Sequence, residues 1–447
     1  MNILKMRISF ATIVFVGFAL ASVTLAEQMR PSLLGLSLTV GVKHSDNRDQ
    51  TPSGYLVKDE PIDKKDQTEL WIQPTISLKH FVEGKYRIHL SYSPTYTYFD
   101  NPRQGGTENE LSHAARALLE YNLGVRTEIS ISDNYWWSGD KDWYYGEDYV
   151  FAPDERDTRR DDYYKNELSA SIKRDIAADN WAKITGRWKI KRYDKKELAD
   201  YGDEEEYILL GELMRRQSRR LSFGVFSEYT AFDRNNGKTA APLGGTGTEG
   251  KIDTGVQYIN TGIQMTYDFS GNQNIVLSAR TGYNYIWYKA SDIKSDDMLG
   301  DSVVELLLFQ QERTSGRIGL RYGMEYGNVF PYSSQDNTTV FASVSQLLGR
   351  QNKLRVGVDA EYRTRKYELA KIDPDAEDYG YYQQWREEKG YSSDATRDST
   401  YIRLHASYKW TADLSTSLFY SYEDVDSEVD TSYTENTVGI SATYRFL

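Results

Sequence analysis

Enzyme chemistry is most often carried by a thiol, a histidine or a positioned pair of carboxylates, and this chain of 447 residues has no cysteine and five histidines. The missing thiol removes disulfides, cysteine metal sites and thiol catalysis in one step. His44, His80, His89, His113 and His405 are scattered along the chain, each with a serine nearby as a Ser-rich chain supplies by chance. No nucleophile motif or acid–base pair stands out, so the chain is read as a non-enzyme. Acidic clusters at 140–162, 203–206, 373–378 and 424–430 could attract an oxygen-loving cation such as calcium. None has the glycine and closing glutamate of an EF-hand loop, and solvated, mutually repelling loops account for them better. No metal and no cofactor are expected.

What remains is the chemistry of charge and of flat rings. Cations recur at alternate positions within extended stretches: Arg87, Arg116, Arg126, Lys165, Lys173, Arg187, Lys189, Lys191, Arg280, Arg321, Arg355, Arg363, Arg365, Arg403 and Lys409, with Arg445 at the end. Glu120, Glu128, Glu167, Glu325, Asp359 and Glu361 share their parity. Rings of Arg and Lys favour anions in a pore, and a guanidinium can hold a carboxylate or phosphate through two hydrogen bonds. The same charges could instead pair across neighbouring strands and merely fill a wet interior; spacing leaves both readings open. A second set is aromatic: Trp136, Trp137, Trp143 and Tyr144 in one stretch and Trp385 in another, each beside carboxylates. Such rings can stack on sugars or pack a long loop onto itself, and these two loops are the candidates for folding inward at a pore mouth.

The elements that would position these groups are strands. In the last dozen residues Val438, Ile440, Ala442, Tyr444 and Phe446 alternate with Gly439, Ser441, Thr443 and Arg445, and in 34–43 Leu34, Leu36, Leu38, Val40 and Val42 alternate with smaller or polar residues. That period of two gives one greasy and one polar face. Short turns are expected near Gly84, Asn122, Ala178, Ser218, Gly271, Ser315, Gln351 and Asp413. Long connections are expected around Pro52, Gln104, Tyr145, Gly202, Gly244, Asp296, Tyr332, Tyr379 and Ser427. The rhythm predicts about 18 strands of about 10 to 14 residues, an even number and longer than the soluble average. Continuous apolar runs near 208–214 and 303–309 could hide a register shift or a bulge. Tyr283, Tyr285 and Trp287, Tyr408 and Trp410, and Tyr420 and Tyr422 crowd toward strand ends, where rings sit at headgroup level.

The fold class expected is therefore all-β, a transmembrane antiparallel β-barrel of the bacterial outer membrane with short periplasmic turns and long extracellular loops. No stretch after the first residues approaches the run of roughly 20 apolar residues that a spanning helix needs. Residues 1–26 read as a cleaved export signal, with Lys5 and Arg7, an apolar run from Ile8 to Leu20, and Thr24-Leu25-Ala26 ahead of Glu27. Residues 27–447 read as one barrel domain that enters its first strand without room for a plug domain. The formal charge of −12 averages an acidic loop population and a basic inner one, so it does not give the sign of a partner.

Two resemblances follow from particular residues. Thr437, Gly439, Tyr444 and Phe446 resemble the closing strand of outer-membrane barrels, which implies that Gly439, Tyr444 and Phe446 form the signal read by the barrel-assembly machinery; Leu447 departs from the usual terminal aromatic. Gly41-Val-Lys-His-Ser-Asp-Asn47, Ser132-Asp-Asn-Tyr135 and Arg159-Arg-Asp-Asp-Tyr-Tyr-Lys-Asn166 resemble the β-barrel porin 2 family, whose Asp-Asn steps end strands and open external loops. That resemblance spans essentially the whole mature chain and implies an outer-membrane barrel, in some members linked to exopolysaccharide production, with no catalytic residues to transfer. The functional expectation is a porin-like channel, or the exit pore for an acidic exopolysaccharide or other anionic solute. The alternative is a barrel-anchored surface receptor or adhesin. Expected partners are outer-membrane lipid, the assembly machinery and acidic polysaccharide or small anions, with no nucleic acid and the oligomeric state open.

Overall fold

The structure, a computed structural model, describes residues 33–47, 56–57, 60–61, 66–100, 109–143, 160–193, 203–234, 240–242, 249–251, 255–288, 294–297, 300–310, 313–326, 332–349, 351–369, 380, 383–384, 387, 392, 394–428 and 432–446. The export-signal segment 1–26 lies outside the described residues. Among the described residues, eighteen long strands run antiparallel. They are β1 (Leu33–Ser45), β2 (Gln67–Val82), β3 (Tyr86–Phe99), β4 (Asn109–Asn122), β5 (Thr127–Trp143), β6 (Arg160–Ala177), β7 (Asn180–Tyr193), β8 (Glu204–Arg216) and β9 (Leu221–Arg234). Continuing round the wall come β10 (Val256–Asp268), β11 (Ile275–Tyr288), β12 (Ser302–Leu308), β13 (Thr314–Tyr326), β14 (Tyr332–Leu348), β15 (Leu354–Leu369), β16 (Thr396–Lys409), β17 (Leu414–Ser427) and β18 (Tyr433–Arg445).

Each strand pairs with its sequence neighbours, and β1 pairs with both β2 and β18, so the sheet closes into a barrel. Closure gives each strand a partner on both sides and leaves no edge. The seam register runs from Ser37 opposite Arg445 to Ser45 opposite Thr437. At its far end Asp46 accepts hydrogen bonds from the Asn436 backbone N at 2.7 Å and the Asn436 Nδ2 at 2.8 Å. All eight expected short turns join strands at one rim, and the nine longer connections lie at the other.

The two faces differ as the alternation requires. On every strand one parity carries exposed apolar groups, including Val40, Ile76, Ile184, Leu213, Ile263, Leu320, Val344, Leu404, Leu418 and Ile440. On the other parity Glu228, Thr230, Asn260, Asn284, Gln335, Asn337 and Thr339 are buried. An apolar belt round a closed barrel with polar groups inside is the arrangement that hydrocarbon selects and water does not. Aromatic rings edge the belt at both heights. Tyr285 and Trp287 meet edge to face near the loop rim at 4.5 Å, and Tyr408 with Trp410 and Tyr444 with Phe446 do so near the turn rim at 4.6 and 4.8 Å. Asp133 shares the outward parity of Ile131, and the Asn166 Nδ2 on β6 donates to it at 2.6 Å.

Three local findings refine the expectations. The Asp-Asn step at 46–47 does end β1, but the one at 133–134 lies inside β5, which continues to Trp143. The apolar run of β8 hides no irregularity: its register to β7 and β9 is unbroken, and its second set of apolar residues, Ile208, Leu210 and Met214, lines the inner face. The irregularity sits instead ahead of β12. Asn284 of β11 faces Asp297 and Arg280 faces Val303, so four residue steps on one side oppose six on the other. There the Gly300 N donates to the Gly282 carbonyl at 2.6 Å, and Gly300 rests on Asn260 and Asn284. Elsewhere, Pro74 on β2 stands opposite Pro94 on β3, and no backbone pairing spans 73–75 and 93–95. Side chains bridge this gap from within: Gln73 Nε2 donates to Thr95 Oγ1 at 2.8 Å, and the Thr75 and Ser93 hydroxyls lie 2.8 Å apart.

Candidate functional site: the inner wall

The inner wall is built from pairs set directly across neighbouring strands. Small inner positions lie opposite large ones: Gly41 faces Trp71, Gly319 faces Phe341, and Gly439 faces Phe419. In each case ring carbons occupy the space over the glycine where a Cβ would stand. A period-two strand can afford this only where the neighbour has no side chain, so the glycines flatten the wall and turn ring faces toward the lumen.

Cations then settle on those faces. The Arg403 guanidinium lies 4.6 Å from the Phe419 centroid, and Arg317 and Arg321 lie 5.4 and 5.7 Å from that of Phe341. Lys173 Nζ lies 5.2 Å from the Trp181 ring. Among the described residues no carboxylate comes within salt-bridge distance of these four cations. A ring holds a cation by its quadrupole without cancelling its charge. Lys165 and Lys191 both approach Tyr163, at 5.1 and 4.6 Å, and Lys165 also approaches Trp136 at 5.6 Å.

Other members of the sequence set are ion-paired. Lys189 Nζ meets Glu206 at 2.6 Å, Arg363 meets Glu361 at 2.7 Å, and Arg87 meets Glu120 at 3.0 Å. Arg280 and Arg187 both reach Glu228, at 3.3 and 3.9 Å. Arg365 stands directly across from Arg397. Arg116, Arg355 and Lys409 share the inner parity of their strands and are exposed, while Arg126 falls in the turn before β5 and Arg445 ends β18. The inner wall is thus mixed: partners from β8 and β9 neutralise much of β7, and the cations of β13 and β16 sit on rings.

The aromatic set divides. Trp136 and Trp137 are strand residues of β5 rather than loop residues and face opposite ways. Trp136 packs edge-on against Tyr163 inside at 5.3 Å, and Trp137 lies 5.3 Å from the outward His113 ring. Trp143 ends β5, and Tyr144 and Trp385 lie outside the described residues. Gly439 underlies Phe419, and Tyr444 and Phe446 are exposed on the outer face. His405 Nδ1 lies 3.3 Å from Asp359, and His113 Nδ1 lies 2.7 Å from the Tyr92 hydroxyl. Among the described residues no cluster of three or more His, Asp or Glu could hold a metal ion.

Sequence reasoning missed the inner carboxylates Glu206, Glu212 and Glu228 and the inner rings Trp181, Phe226, Phe341 and Phe419. On β9, β14 and β17 strand parity would have found them, since Phe226 and Glu228, Phe341 and Phe419 alternate with the outward Val225, Val340 and Leu418, whereas on β8 the continuous apolar run hides the inner parity.

No protein-family model matches the chain, and no curated protein matches it. Solved barrels resemble it in structure. OpdQ of Pseudomonas aeruginosa is 9% identical, with 93% of this chain and 98% of that chain covered and a TM-score of 0.43. The siderophore receptor PirA of Pseudomonas aeruginosa is 8% identical, with 94% and 81% covered and a TM-score of 0.43. The FrpB iron transporter of Neisseria meningitidis is 11% identical, with 90% and 63% covered and a TM-score of 0.46. Identities and scores of this size say nothing of solute or partner.

Proposed function

We propose that the chain is an outer-membrane channel that favours anionic solutes, with an acidic exopolysaccharide as the narrower candidate cargo. The observation that carries this reading is the seating of Arg317, Arg321, Arg403 and Lys173 on inner-wall rings rather than on carboxylates. An ion-paired cation presents a dipole to the lumen, whereas a ring-seated one presents a net charge and a free set of N–H donors. Eighteen strands at about 4.8 Å spacing and about 40° tilt give a backbone diameter of about 36 Å, wide enough to enclose water. The apolar belt and its two aromatic edges support membrane embedding, and the exposed Tyr444 and Phe446 suit a strand-end signal for the assembly machinery. The resemblance of the motifs at 41–47, which ends β1, and 159–166, which opens β6, to the β-barrel porin 2 family points the same way.

The test is the reversal potential of single channels in planar bilayers under a chloride gradient. Wild-type protein is expected to prefer anions, and an R317Q/R321Q/R403Q variant to lose most of that preference. The β7 cations are a poorer choice, because Lys189 and Arg187 already face Glu206 and Glu228. Unchanged selectivity in the triple variant would reject the reading. Protein that inserts but never conducts would leave the barrel as an anchor for its loops.

A further inference from the structure

We propose that Arg187 and Arg280, held by Glu228 and Phe226, form a carboxylate-binding station on the inner wall. This inference rests on the channel reading for its setting but is tested without conduction. The three charged residues come from β7, β9 and β11, strands separated by β8 and β10, so their side chains must run along the wall to meet. The register explains how Arg280 does so. Gly262 of β10 lies directly opposite both Phe226 of β9 and Gly282 of β11, and with no side chain at either glycine the Phe226 ring reaches across β10 until its tip lies over Gly282 beside the Asn260 side chain, within reach of β11. There the Arg280 guanidinium stacks on Phe226 at 3.7 Å, the tightest cation–ring approach among the described residues, and its Nη2 donates to Glu228 Oε2 at 3.3 Å. Ring and carboxylate together fix both the plane and the rotation of the guanidinium.

Glu228 is buried, and Arg187 reaches the same Oε2 atom from the other side at 3.9 Å. Within this trio one carboxylate faces two guanidinium groups, while the nearby Glu212, opposite Phe226, is held by Gln264 Nε2 at 2.9 Å, and both arginine side chains keep part of their surface open, 34% for Arg187 and 21% for Arg280. The Arg280 Nε–H is covered yet has no acceptor. A planar anion whose oxygens span two N–H edges matches this geometry, which is how guanidinium groups recognise carboxylates. Glu228 is thus a positioning residue: it aims the two arginines and does not itself attract the solute.

That role makes a prediction opposite to simple electrostatics. Replacing Glu228 by Gln removes a negative charge from the lumen, so a wall acting only through its field would bind an anionic solute at least as tightly. The station instead loses affinity because its arginines lose their aim. Binding of galacturonate to the detergent-solubilised protein, with galactose as the neutral control, is to be measured by titration calorimetry. Wild type is expected to bind galacturonate and not galactose. Glu228→Gln should weaken that binding by about tenfold, the scale of a charge-assisted contact losing its geometry. Phe226→Leu leaves every charge in place and should weaken it in the same direction. The fold of each variant is checked by its heat-modifiable mobility on gels. Equal or tighter binding by Glu228→Gln, or no effect of Phe226→Leu, would overturn the station. Wild-type protein that binds galacturonate yet shows no anion preference in planar bilayers would instead fault the channel reading.

Discussion

The sharpest test of the architecture uses two adjacent residues of β17. Leu418 is 51% exposed on the outer face, and Ser417 beside it faces inward, opposite Ser407 and Ser441. Leu418 lies four positions above Leu414, where the strand leaves its turn. At a rise of about 3.3 Å per residue and a tilt of about 40°, that places it about 10 Å from the turn rim, well inside an apolar band about 25 Å tall. Arginine introduced there must enter hydrocarbon or drag water in, at a cost of about 2 to 4 kcal/mol near the midplane. Arginine at 417 enters a wet interior among hydroxyls and should cost less than about 1 kcal/mol. About 3 kcal/mol is about two powers of ten in the folding equilibrium. Urea unfolding of Leu418→Arg and Ser417→Arg, each refolded into phosphatidylcholine vesicles, should therefore give well-separated midpoints with similar slopes. Equal costs, or a greater cost at 417, would mean that the oily side of the strand does not touch lipid.

Two further variants probe single contacts. Gly439→Val should push the Phe419 ring off its seat, destabilise the barrel by about 1 to 3 kcal/mol as an overpacked contact, and reduce anion preference because Arg403 leaves with the ring. Asp46→Ala removes an acceptor that holds both the backbone and the side chain of Asn436 at the β1–β18 seam. A loss of about 1 to 3 kcal/mol is expected, with hydrogen exchange accelerating first near the loop-rim end of β18.

Strand content was readable because alternation is a local property: Leu34 to Val42 and Val438 to Phe446 announce their faces within ten residues. The turns were readable for the same reason, with Gly84, Gly124, Gly271 and Gly349 marking positive-φ positions in them. Partner choice was not readable. That Lys189 meets Glu206, or that Arg403 lies on Phe419, depends on register between strands and on which neighbour is a glycine, and a single strand's pattern fixes neither. Ion pairing therefore describes the cations of β7, and ring seating those of β13 and β16. Trp136 and Trp137 were misplaced in a loop because a long aromatic strand end looks like a loop start until its partner on β6 is known.

The Pro74 and Pro94 contact bears on more than pairing. Neither residue has an N–H, so the carbonyls facing that gap have no donor from the adjoining strand, and the hydrocarbon side offers none. Donors for them must come from the cavity side, from the hydroxyls of the Gln73–Thr95 and Thr75–Ser93 bridges or from water beyond them. A polar interior at that height is then a condition for the wall to stand, and a plug that dried this sector would loosen the very staves it leaned on.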